Sequence, residues 1–243
     1  MVNDNKTRAV KKLPFSLGED ALFRFKRAFL HIFFPNRCPV CRCIIGADDR
    51  FCRKCDGKLK RYSGIFRIPK ASGTAAALVY DRTSSRAVYL LKNGICGNAA
   101  YALGGELADK LISSGTADKT DIIVPVPMYI SDKRRRGYNQ AELIAKEVGR
   151  IIGKPCSIGN VVKIRKTMQQ KKLSRTERSA NLKDCFEVRD IAQFKGKTVL
   201  LVDDVCTTGC TMSELTSLIK DCGVNEVYCA ACCKTPSYRP KHR

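Results

Sequence analysis

The chain has 243 residues, with 45 Lys+Arg against 23 Asp+Glu for a net charge of +22, and 44% of its residues are apolar. That suffices for one ordinary domain plus a small module, or for two small domains, and excludes wholesale disorder. No apolar run approaches the roughly 18 residues of a spanning helix, the N-terminus lacks the apolar stretch of an export signal, and two histidines exclude His-rich metal sites.

Residues 1–18 are polar, basic and aperiodic and read as a tail. From Glu19 to Phe34, apolar residues at 22, 25, 29, 30 and 33 follow helical spacing, with Lys26 as an exception, and Pro35 ends the run. A basic aromatic helix of this kind can lie on a membrane surface. An apolar stripe more commonly packs on a neighbour, and we expect the helix to pack on the module that follows.

That module carries two C-x-x-C pairs, Cys38/Cys41 and Cys52/Cys55, within a chain of 14 cysteines. Two knuckles of two thiolates each build a closed tetrahedral zinc site, structural because no coordination position stays open. So short a segment draws much of its folding free energy from the metal. Cys43 is a nearby competitor, though the C-x-C it forms with Cys41 suits a knuckle less well. With no export signal, the remaining cysteines read as buried thiols of a reducing, cytoplasmic compartment.

Beyond residue 72 strands alternate with helices. Strands are expected at Ala75–Tyr80, Asp121–Pro127, Ser157–Ile164, Phe186–Val188, Thr198–Val202 and Asn225–Ala231. Helices are expected at Thr83–Lys92, Gly97–Leu111, Gly137–Ile152 and Ser213–Lys220. The alternation predicts an α/β domain with a mainly parallel sheet flanked by helices. The domains are then a tail (1–18), a helix plus zinc module (19–65), the α/β domain (72–234) and a basic tail (235–243).

The stretch V-L-L-V-D-D-V-C-T-T-G-C-T, Val199 to Thr211, carries the chemistry. An apolar strand runs out into Asp203 and Asp204, and a turn through Val205, Cys206, Thr207, Thr208, Gly209, Cys210 and Thr211 opens a helix. Such a turn aims amides and the positive helix end at an anion, and threonine hydroxyls add donors. Carboxylates beside a phosphate cradle repel the phosphate itself, so they suit sugar hydroxyls or a divalent metal. A sugar phosphate satisfies both halves. Earlier in the chain, Val126–Gln140 reads as a loop with four consecutive cations, Lys133 to Arg136, in which Arg136 and the amides at Gly137–Asn139 can clamp a pyrophosphate. The plainer alternative is a solvated basic loop.

At these residues the chain resembles the type I phosphoribosyltransferases. The paired C-x-x-C motifs, I-V-P-V-P (Ile123–Pro127), R-G-Y-N-Q (Arg136–Gln140) and R-x-x-N-L-x-x-x-F (Arg178, Asn181, Leu182, Phe186) extend the resemblance to the ComF family of competence-associated proteins. It implies that Asp203 and Asp204 hold the ribose of phosphoribosyl pyrophosphate, that Cys206–Thr211 hold its 5′-phosphate, that Mg2+ accompanies it, and that Arg165–Arg178 is a closing loop. It also implies a place in DNA uptake or in purine and nucleotide metabolism, with single-stranded DNA and a DNA-uptake helicase as partners. The opposing reading is a non-catalytic accessory of DNA uptake that binds DNA or protein. The sequence names no acceptor and no general acid or base.

Overall fold

The computed structural model describes residues 17–166 and 185–236. The tails, Arg178, Asn181, Leu182 and most of the Arg165–Arg178 segment lie outside them. The elements in chain order are α1 (Leu17–Phe33), α2 (Arg53–Asp56), β1 (Gly73–Val79), α3 (Ser84–Lys92), α4 (Asn98–Ser113), α5 (Thr116–Lys119), β2 (Ile122–Pro125), α6 (Ile130–Arg136), α7 (Gln140–Ile152), β3 (Val161–Lys163), β4 (Phe186–Val188), β5 (Thr198–Cys206), α8 (Cys210–Lys220) and β6 (Glu226–Lys234).

Four strands form one parallel sheet in the order β1-β6-β5-β2. Covered on both faces, the central strands read as continuous apolar runs. In β6, Val227, Cys229 and Ala231 face one side, and Ala230 and Cys232 face the other. The thiols of β6 act as small apolar groups, and burial pushes Cys229 up to about 12, which keeps it protonated. One face packs on α3, α4 and α7 around Leu103, Leu107 and Ile144. The other packs on α8 and the antiparallel β3–β4 ribbon around Phe194, Met212 and Leu215.

The zinc module enters the first of these cores. Cys38, Val40, Phe51, Cys55 and Leu59 are buried in one cluster with Leu78, Leu91 and Leu103. Arg50 lies against α4 and pairs with Asp109 at 2.5 Å, while Asn98 Nδ2 donates to the carbonyls of Asp49 and Arg50. The approach is so close that a Cβ at Gly105 would collide with the Arg50 guanidinium.

Several expectations change. The loop at 126–140 contains helix α6, which buries nothing and so shows no apolar period; Lys133 pairs with Glu142 at 2.7 Å to hold it against α7. Gly137, expected to open the next helix, instead ends α6 at φ +87, and α7 starts at Gln140. Strand β5 continues through the acid pair to Cys206, and β6 continues to Lys234, because parallel pairing persists there. The strand expected at 157–164 shrinks to the three residues of β3. Helix α1 forms and lies against the module as expected, but through polar contacts, Arg24 with Asp48 and Arg27 with Ala47 O, while Phe25, Phe29 and Phe33 of its apolar face are exposed.

Candidate functional site

In the N-terminal module the chain folds back at Arg42, in the left-handed region at φ 66. Cys38 N then donates to Cys43 O, and Arg42 N to Cys38 O, which turns the first thiol pair inward. The second knuckle closes where Cys55 N and Asp56 N donate to Cys52 O at the start of α2. The sulfurs of Cys38, Cys41, Cys52 and Cys55 all lie within 4.8 Å of one another. Zn–S bonds of about 2.3 Å in a tetrahedron place sulfurs about 3.8 Å apart, and Cys41 and Cys52 stand at 3.6 Å. These four thiols fit a structural Zn2+. Cys43 stays outside the set, exposed, 3.3 Å from Cys41 Sγ.

The acid pair and its loop sit at the carboxyl end of β5, the edge where parallel sheets bind ligands. Asp203 to Met212, with Tyr80 and Lys92, line a cavity of about 420 Å3. All nine motif residues from Asp203 to Thr211 therefore meet in one place. Gly209 adopts φ +82, and a Cβ there would collide with Ile68 Cδ1, so the loop needs glycine both for its backbone and for space. Helix α8 begins at Cys210, and its first-turn amides, which lack intrahelical partners, line the cavity with Thr208 and Thr211. Lys234 steadies the loop from beneath: its Nζ donates to Thr207 O at 2.7 Å and lies 5.5 Å from the Phe66 ring centroid. Burial pushes the Cys206 thiol up to about 11, so it fills space as a neutral group. Thr208 Oγ1 stands 3.2 Å from Cys210 Sγ.

The two carboxylates differ. Asp203 accepts from the backbone N–H of Asp204 at 2.8 Å, yet burial, reinforced by the charge of Asp204, pushes its carboxyl up to about 8. Asp204 takes Lys92 Nζ at 2.9 Å. Burial alone would lower the Lys92 pKa; Asp204 and then Asp203 outweigh it and hold the ammonium above its usual range.

A second cavity of about 250 Å3 shares Lys92, Asp203, Asp204 and Thr211 with the first. Met128, Tyr129, Arg136, Gln140 and Lys163 help complete it. Arg136 therefore lies beside the acid pair. Gly137 does not line the cavity and serves as the left-handed end of α6. Asn139 lines it, but both ends of its side chain bind backbone: Oδ1 caps Ala141 N and Nδ2 donates to Val126 O. Gln140 Nε2 is buried with no hydrogen-bond partner among the described residues, which marks it as a donor available to a ligand.

Sequence reading missed Lys92, Lys234, Ile68 and Gln140. Lys92 ends an ordinary amphipathic helix, and Tyr138 Oη bonded to Leu91 O is what ties that helix end to the start of α7.

With this geometry in place, residues 97–243 match the phosphoribosyl transferase domain family, about 60% of the chain. The chain belongs to that family. Residues 29–66 match the double zinc ribbon domain, and this pairing of domains, with the type I phosphoribosyltransferase fold and the relatives that follow, supports a ComF family assignment. Over 109 residues it is 39% identical to Competence protein F of Haemophilus influenzae, covering 44% of this chain and 47% of that one. It thus spans about half the length of that relative. It is 27% identical to DNA utilization protein YhgH of Salmonella typhi over 82% of this chain and 84% of that one. A solved structure, the glutamine phosphoribosylpyrophosphate amidotransferase of B. subtilis, matches with a TM-score of 0.38 and 19% identity over 55% of this chain and 26% of that one. Among the described residues no helix is long and apolar enough to cross a membrane.

Proposed function

We propose that the chain binds phosphoribosyl pyrophosphate and transfers its ribosyl 5-phosphate to an amine or base. The observation that supports this most is the shared boundary of the two cavities. An acid pair suited to ribose hydroxyls lies between a Gly-Thr loop suited to a phosphate and a second cavity holding Arg136, Lys163 and the unsatisfied Gln140. The 5′-phosphate takes the amides and hydroxyls of Thr207–Thr211. The ribose hydroxyls donate to Asp203 and Asp204. The pyrophosphate takes Arg136, Lys92 and Gln140 on the far side.

Asp203 and Asp204 are hard oxygen donors of the kind Mg2+ prefers, but Lys92 already neutralises Asp204. Asp203 would be the residue left to hold a Mg2+ accompanying the pyrophosphate, and such an ion would supply charge neutralisation of the leaving group. Lys92 supplies a fixed positive charge at the same seam. Displacement at the anomeric carbon breaks its bond to pyrophosphate and forms the bond to the acceptor nitrogen, whose proton passes to solvent.

The names of the relatives support a place in DNA uptake or utilization, where a ribosyl phosphate ligand acts as substrate or as signal. The alternative, a DNA-binding accessory, is supported by the net charge of +22, which favours sequence-independent phosphate contacts. Titration calorimetry with phosphoribosyl pyrophosphate and Mg2+, with a coupled assay for released pyrophosphate, tests the proposal. It expects binding that ribose 5-phosphate competes away. Salt-sensitive DNA binding with no response to either ligand would favour the accessory reading.

A further inference from the structure

We infer that α1 is an interfacial helix that docks the protein onto an anionic lipid surface. The helix is fastened to the body along one side, where Arg24 pairs with Asp48 at 2.7 Å. Arg27 donates to Ala47 O at 2.7 Å and Asn98 Oδ1 at 2.8 Å, and lies 3.6 Å from the Tyr101 ring centroid. Phe23 takes Arg150 at 4.1 Å. His31, one turn further on, accepts from Asn36 N at 2.9 Å.

Residues 23, 27 and 31 thus face the body. At about 100° per residue, Leu22, Phe25, Phe29, Ile32 and Phe33 fall within an arc of about 100° on the opposite side. All five are more than half exposed, and Phe29 and Phe33 pack edge-on at 5.7 Å. The polar fastening turns the apolar face outward, so docking needs no rearrangement of the body. This inverts the ordinary placement of an amphipathic helix, whose apolar face covers a core.

Charge selects the occupant. Lys26 borders the apolar arc. The sixteen residues leading into the helix contain Lys6, Arg8, Lys11 and Lys12 against Asp4, and the whole chain carries +22. An apolar arc flanked by Lys26 on a strongly basic chain matches the headgroup region of an anionic bilayer. A second copy fits poorly: two +22 chains repel, and one pair of helices about 25 Å long covers less than the roughly 1,200 Å2 of a stable interface. At 17 residues with internal charges, α1 lies on the surface and does not span it.

The test uses the full-length, zinc-loaded chain and vesicles of phosphatidylcholine with or without phosphatidylglycerol. We expect co-sedimentation with the anionic vesicles only, weakened by salt. The triple variant Phe25→Ser/Phe29→Ser/Phe33→Ser should bind at least about tenfold more weakly, with zinc content and unfolding midpoint unchanged. The chain has no tryptophan, so Phe29→Trp reports the environment of the face in an otherwise native protein, and its emission should shift to the blue on anionic vesicles. Wild type left in the supernatant, equal binding to neutral vesicles, undiminished binding of the triple variant, or an unshifted emission from the Phe29→Trp variant would each overturn the inference. So would sedimentation velocity showing a dimer that the triple variant abolishes.

Discussion

At Asp203 two forces act in the same direction: burial and the neighbouring Asp204 charge raise a carboxyl that ordinarily titrates at 3.8 to about 8. The folded state then keeps a proton that the unfolded chain releases. Fold stability should therefore fall as pH rises from about 4 to about 8, as a urea-midpoint series will show. Ribose hydroxyls need the carboxylate as acceptor, so ligand affinity should rise with pH across the upper half of that window. Asp203→Asn should flatten the rise, and calorimetry in buffers of different ionisation enthalpy should detect a proton released on binding by wild type alone. At Lys92 the opposite charge is at stake. Lys92→Met should weaken phosphoribosyl pyrophosphate binding by roughly tenfold and shift the pH profile upward, and Lys92→Arg should restore most of both.

At the scale of elements, the phosphate loop depends on parts distant in sequence. Gly209 is pressed by Ile68 from the segment between the zinc module and β1, and Thr207 is held by Lys234 at the end of β6. Gly209→Ala forces a side chain into a left-handed backbone and into Ile68. It should cost about 1–3 kcal/mol of stability and abolish ribose 5-phosphate binding. Adding Ile68→Ala relieves the contact but not the backbone, so thermal unfolding should recover only in part. This division explains what the sequence could reveal. The apolar strands, the acid pair and the Thr-Gly turn are local patterns and could be read directly. Lys92, Ile68 and Lys234 act through contacts between segments far apart in the chain, which leave no local signature. Helix α6 escaped because it buries no side chain and so has no period. The α1 periodicity was legible, but only tertiary contacts show which face meets the body.

At the scale of the molecule, the zinc module and the sheet share one core. The strands of the larger domain bury apolar side chains of their own, but Cys38 and Phe51 are buried in the same cluster as Leu91 and Leu103. Cys38→Ser or Cys55→Ser should remove the metal, lower the melting temperature, and speed amide exchange in α3 and α4 before the β3–β4 side. Metal analysis and hydrogen exchange on the same samples check this. Zinc loss should also weaken ligand binding, because α3 carries Lys92.

The central claim is that the acid pair and the loop of β5 form one ribose-phosphate site, and calorimetry on wild type and Asp203→Ala/Asp204→Ala tests it most directly. Charge-assisted hydrogen bonds of about 1.5–3 kcal/mol are removed. Affinity for phosphoribosyl pyrophosphate should fall by at least roughly tenfold, since about 1.4 kcal/mol is a factor of ten, while circular dichroism shows the fold retained. Equal affinity in two folded proteins would contradict the account.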